Sequence, residues 1–120
     1  CAQGRAVLEV IEGEGLQANS LKVGNHLKNG FTRLAEKHPL IGEVRGLGLM
    51  LGIELVKDRR TKEPAKDECA AVFEKARDLG LLIGKGGLWG NTLRIKPPMC
   101  ITTADADFLL EVLDAALQTA

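Results

Sequence analysis

The sequence has no tyrosine, one tryptophan, three cysteines and no excess of charge of either sign. Cys1, Cys69 and Cys100 are too few and too far apart for a disulfide framework or a zinc motif, and they read as reduced intracellular thiols. A cysteine nucleophile needs a nearby base, and His26 and His38 are the only histidines, which disfavours that chemistry. Sixteen basic residues balance sixteen acidic ones without long blocks of either sign, which argues against nucleic acid as a partner. The basic cluster Lys57, Arg59, Arg60 and Lys62 is broken by Asp58 and followed by Glu63, as in a solvated loop. No apolar run approaches the ~20 residues of a membrane span, so neither a transmembrane segment nor a membrane partner is expected. No signal-peptide pattern follows Cys1, and a chain that opens on cysteine is expected to be a piece of a longer one, with any targeting signal upstream.

What is present is ordinary globular composition, 45% apolar and 27% charged, on 120 residues. A chain of that length forms one domain and buries roughly two thirds of its unfolded surface. Residues 1–38 read as helical and 40–120 as a sheet with two helices. Ala6, Val7, Val10 and Ile11 recur at helical spacing over Ala2 to Glu14, ending near Gly13 or Gly15. A second helix, capped by Asn19 or Ser20, carries the stripe Val23, Leu27, Phe31 and Leu34 and stops at His38-Pro39. Ile41 to Arg45 and Leu49 to Val56 read as strands around a hinge at Gly46-Leu47-Gly48.

Pro64 fits the first turn of a helix reaching Leu79, with Cys69, Val72, Phe73 and Ala76 inward and Gly80 as the left-handed residue after its end. Leu81 to Gly84 and Thr92 to Lys96 are expected strands, joined by the loop "KGGLWGN". Thr102 and Asp105 form a capping box for a last helix, whose stripe is Phe108, Leu109, Val112, Leu113, Ala116 and Leu117. This order lacks regular βαβ alternation, so the expected class is α+β, with a small mainly antiparallel sheet covered by helices on one face.

Most motifs have plain readings. Glycines 46, 48 and 52 in "GLGLMLG" brush against a dinucleotide fingerprint, but a strand continues where that fingerprint opens a helix. The loop "GKGGLWGN" could offer backbone amides to an anion, but a plain connection between two strands is the favoured reading. Lys85 lacks the apolar enclosure that a Schiff-base lysine needs. Trp89 is either a packing lid or a site wall. His26 and His38 read as structural or solvated.

The segment "TLRIKPPM" differs. Alternation places Leu93 and Ile95 on one face of a strand and Thr92, Arg94 and Lys96 on the other. Pro97 and Pro98 cannot extend a sheet and impose a stiff, extended exit. Arg94 is thus a permanent planar cation beside a rigid loop, suited to gripping a carboxylate with two parallel hydrogen bonds. From these residues alone, an exposed arginine or a structural ion pair is the favoured account.

Three stretches, "EVRGLGLMLGIELVKD", "LGLLIGKGGLWGNTLRIKPPMCIT" and "DADFLLEVLDAAL", resemble in order and spacing the C-terminal part of class III, fold-type I aminotransferases. Within that family the resemblance is greatest to the alanine-glyoxylate aminotransferase 2 branch. It implies the C-terminal small domain of a longer homodimeric enzyme, mitochondrial or cytoplasmic, that moves an amino group from an amino acid to a keto acid using pyridoxal phosphate. Arg94, in the family's R-x-x-P-P pattern, is implied to hold the substrate carboxylate. The Schiff-base lysine and the cofactor-binding loops are implied to lie upstream, leaving no catalytic or cofactor-binding residue here. The rival expectation is a non-catalytic α+β module that binds an amino acid or a protein partner.

Overall fold

The computed structural model describes residues 1–119. Among these, four helices and five strands follow in the order α1 (Ala2–Gly13), α2 (Leu16–Lys37), β1 (Ile41–Leu47), β2 (Met50–Asp58), β3 (Glu63–Pro64), α3 (Lys66–Asp78), β4 (Gly84–Gly86), β5 (Thr92–Ile95) and α4 (Thr103–Gln118). The sheet is antiparallel in the order β1-β2-β5-β4, with β3 pairing on β2 beyond the end of β5.

The core lies on one side of this sheet. Leu51, Ile53 and Leu55 of β2 and Leu93 and Ile95 of β5 point into it, as period-two alternation requires. Helices α2 and α3 cover that face, and α4 packs against both helices. Val23, Leu27 and Phe31 are the buried stripe of α2, while Ala106, Leu109, Leu113, Ala116 and Leu117 serve α4. The capping box opens α4 as expected: Thr102 Oγ1 accepts from the Asp105 amide at 3.2 Å, and the Asp105 carboxylate accepts from the Thr102 amide at 3.4 Å.

Several sequence expectations are corrected. Asn19 and Ser20 do not cap α2, which starts at Leu16 directly after Gly15 in the left-handed conformation (φ 63°). Asn19 Nδ2 instead donates to the carbonyls of Met99 (2.7 Å) and Ile101 (2.9 Å), tying the chain just past the two prolines to α2. The expected hinge at Gly46-Leu47-Gly48 is a tight hairpin turn, because Leu47 still pairs with Met50 across Gly48 and Leu49. Pro64 is not in α3: it pairs with Val56, and the helix begins after Ala65.

Leu81 to Gly84 is not a strand. The Leu81 amide donates to the Ala76 carbonyl and the Gly80 amide to Arg77, so a Schellman closure around Gly80 (φ 93°) uses the groups that a ladder would need. Pairing begins only at Gly84, and Leu82 is exposed. Phe108 is half exposed rather than part of the α4 stripe.

Helix α2 meets the β1–β2 turn at backbone distance. A methyl group at Gly24 would overlap the carbonyl of Gly48, and backbone cannot move aside as a flexible side chain can. Gly24→Ala is expected to cost about 3 kcal/mol, the upper range of core overpacking, measured by denaturant unfolding.

At the other end of α2, His38 Nε2 lies 2.7 Å and Lys37 Nζ 3.0 Å from the two carboxylate oxygens of Asp114 on α4. Hydrogen bonds from His38 and then Lys37 hold the Asp114 carboxyl below its ordinary range. A lowered folded-state value contributes stability that is complete above the unfolded carboxyl's pKa and disappears as pH falls through the folded one. Asp114→Asn should therefore destabilise at pH 7 by about 1 kcal/mol. As pH falls through the folded carboxyl's lowered range, its melting temperature should converge on that of the parent, read by thermal scans across acid pH.

Candidate functional site

The face of the sheet opposite the helices is open, and it carries the charged residues of the strands. Arg94 is exposed between Leu93 and Ile95, which are 0% and 1% exposed, so alternation holds where it was expected. Thr92 shares that open face but is buried beneath the turn at Gly87. Asn91 locks the start of β5: its side-chain amide donates to the Leu55 carbonyl, and its own carbonyl accepts from the Leu55 amide, both at 2.8 Å. Asn19 holds the far end through Met99 and Ile101. Arg94 thus stands on a strand pinned at both ends.

The sheet register sets its neighbours. Across the open face run Arg45, Gly52, Arg94 and Gly84, one from each of β1, β2, β5 and β4. Two arginines therefore flank a glycine, and a groove of about 300 Å³ opens there, bordered also by Met50 and Lys96. The two arginines are not equivalent. Arg45 Nη1 bonds Glu43 at 3.1 Å and Glu54 at 3.0 Å, so its charge is answered within the sheet. Arg94 has no carboxylate partner among the described residues; its one hydrogen bond, long at 3.4 Å, goes from Nη2 to the carbonyl of Lys85.

On its other side Arg94 borders a larger cavity of about 490 Å³, walled by Ile83, Pro97, Pro98, Ile101 and Phe108. The prolines and the exposed Phe108 thus wall the cavity beside Arg94. A fixed cation between two mostly apolar hollows suits an organic anion, with the fork on the acid group and the body against apolar atoms.

The other candidates do not assemble around it. Trp89 is exposed in its loop. Lys85 Nζ lies over the Phe73 ring at 5.3 Å. All nine lysines are exposed, so none has the enclosure of a Schiff-base lysine. Cys69 is buried, and that burial pushes its thiol up to about 11 against the opposing pull of Lys85, so it stays protonated at neutral pH. His26 lies 2.6 Å from Asp107 and His38 pairs with Asp114, both structural placements. Among the described residues no three His, Cys, Asp or Glu gather as metal ligands, and no helix is long and apolar enough to cross a membrane. Arg45 escaped the sequence reading: Glu43, two residues before it on the same strand face, was a local signal, whereas Glu54 comes within reach only through strand pairing.

The family model of the class-III aminotransferases matches residues 1–117. This chain belongs to that family. It is 54% identical over 114 residues to the mitochondrial alanine–glyoxylate aminotransferase 2 homolog 2 of Arabidopsis thaliana, a match over 95% of this chain and 24% of that protein. Among solved structures, an amine transaminase from an uncultivated Pseudomonas species with PLP bound superposes with a TM-score of 0.89 at 34% identity, over 99% of this chain and 27% of that one. A phospholyase from Arthrobacter in complex with phosphoethanolamine superposes at 0.92 with 30% identity, over 98% and 28%. The chain spans about a quarter of the length of the proteins it matches.

The ion triad on β1 and β2 is testable by itself. Glu43 and Glu54 face each other in the register, so Arg45→Ala leaves two like charges opposed. The variant should lose about 1 kcal/mol at low ionic strength and recover part of it in 1 M salt, where the Debye length falls to about 3 Å. Urea titrations at the two salt concentrations make the comparison.

Proposed function

We propose that this chain is the C-terminal small domain of a pyridoxal-phosphate-dependent aminotransferase, and that Arg94 holds the substrate α-carboxylate. The observation that carries this reading is the unanswered guanidinium. Arg94 stands on the open face of the sheet with no acid partner among the described residues, while Arg45 two strands away has two. An enzyme that recognises amino and keto acids needs one unneutralised, fork-shaped cation at a fixed position, and bidentate pairing supplies both orientation and affinity.

On this reading the cofactor's pocket lies in the rest of the protein, since the chain spans about a quarter of the length of the relative it matches. Pyridoxal phosphate, held by the remaining three quarters of the protein, supplies the electron sink for moving an amino group between carbon skeletons. The contribution of this chain is to bind and orient. Arg94 takes the carboxylate, the wall of Pro97, Pro98 and Phe108 receives apolar substrate or packs on the rest of the protein, and Asn19 and Asn91 keep the strand in place. Alone, the chain carries no transamination chemistry.

The identity to the Arabidopsis protein favours transfer from an amino acid such as alanine to a keto acid such as glyoxylate or pyruvate, in a homodimer of mitochondrial location. It favours that chemistry over the elimination carried out by a phospholyase, whose likeness to this chain is lower in sequence. Arg94→Lys in the full-length protein should raise the KM for carboxylate substrates about tenfold to a hundredfold, with a smaller change in kcat, because one ammonium cannot reproduce a planar fork. Steady-state kinetics with both substrates make the test, and unchanged values would remove Arg94 from the site.

A further inference from the structure

The seat of the Arg94 side chain points to a residue whose only evident duty is to hold it. Strand β4 runs antiparallel to β5 with Gly84 opposite Arg94 and Gly86 opposite Thr92, so Gly86 is the diagonal neighbour of Arg94 on the open face. Diagonal positions are within reach of long side chains, and the arginine uses that reach. Its guanidinium lies flat over the backbone of Gly86. A Cβ at position 86 would stand 2.5 Å from Nη2, 2.7 Å from Nε and 2.9 Å from Cζ of Arg94, and these are its three nearest heavy atoms.

The backbone gives no other reason for glycine at this position. Gly87 (φ 88°) and Gly90 (φ 64°) occupy the left-handed region, which side chains rarely adopt, whereas Gly86 is in ordinary strand conformation. A glycine in a strand interior also weakens the strand and commonly marks a close approach by something else. Here the approaching group is the guanidinium. Once laid across Gly86, it reaches the Lys85 carbonyl with Nη2, which leaves its remaining donors toward the open face.

We propose that Gly86 is a positioning residue for substrate-carboxylate recognition: the absence of a side chain there provides the flat seat that sets the height and tilt of the Arg94 fork. The inference rests on the reading of Arg94 as the carboxylate ligand. Since the obstructed atoms are the far end of a flexible side chain, alanine at 86 leaves the sheet intact and lifts only the guanidinium. Misplacing a binding fork by about 1 Å weakens bidentate pairing without touching the reacting bond.

The test uses the full-length enzyme with Gly86→Ala, Arg94→Ala and the double variant, assayed with an amino-acid donor and with a carboxylate-free primary amine. Gly86→Ala should raise the KM for the amino acid about fivefold to tenfold with kcat within about twofold, and leave turnover of the amine unchanged. In the Arg94→Ala background the same substitution should add nothing, since the group it displaces is gone. If Arg94→Ala itself leaves the amino-acid KM unchanged, the carboxylate reading falls and this inference with it. If Arg94→Ala raises that KM while Gly86→Ala does not, only the role of Gly86 is overturned. An equal loss with both donors overturns it too. Should Gly86→Ala melt at a lower temperature, removing Arg94 must restore the melting point, and failure to do so would refute the seat.

Discussion

Burial of one face of the two central strands governs the rest of this molecule. Leu51, Ile53, Leu55, Leu93 and Ile95 leave water together against α2 and α3, and each such side chain contributes about 1.5–3 kcal/mol of transfer free energy. Because side chains alternate, that burial leaves no freedom to what lies between them. Gly52, Glu54 and Arg94 must face the other way, and a slip of one residue in register would bury a guanidinium and expose the core. The site is therefore the obligatory reverse side of the hydrophobic core.

The open face then gains its character from what its charges do to one another. Glu43 and Glu54 converge on Arg45, and the three form a self-contained cluster. Arg94, one strand beyond Gly52, is left with a backbone carbonyl. Glycine supplies the remaining design: at 52 it keeps a groove open between the arginines, at 86 it lets a guanidinium lie against the backbone, and at 24 it brings a helix to backbone distance. At 24 and 86 the missing side chain makes room for a specific neighbour.

Class-III membership gives this arrangement a setting, because the chain spans about a quarter of the proteins it matches. Helix α1 has no fully buried residue and exposes Val7, Leu8 and Val10, Leu82 borders the cavity beside Arg94, and Leu88 is exposed in the loop before β5. An open face that holds an unneutralised cation and has an apolar rim has the features of one half of a cleft.

The sequence by itself determined the alternation that turns Arg94 outward, the stiff exit at Pro97 and Pro98, the α4 capping box and the apolar stripes of the long helices. All of these depend on neighbours a few residues apart, where backbone geometry alone fixes the relation. Family resemblance added the expectation that Arg94 holds a carboxylate. The start of α2, the place of Pro64 and the extent of β4 were misread, since in each the backbone hydrogen bonds went to partners that local propensity does not name. Only the tertiary structure decided that Arg45 is neutralised and Arg94 is not, and that Gly86 underlies the guanidinium. Those facts join residues on different strands, and strand register is set by the packing of the whole sheet rather than by any one segment.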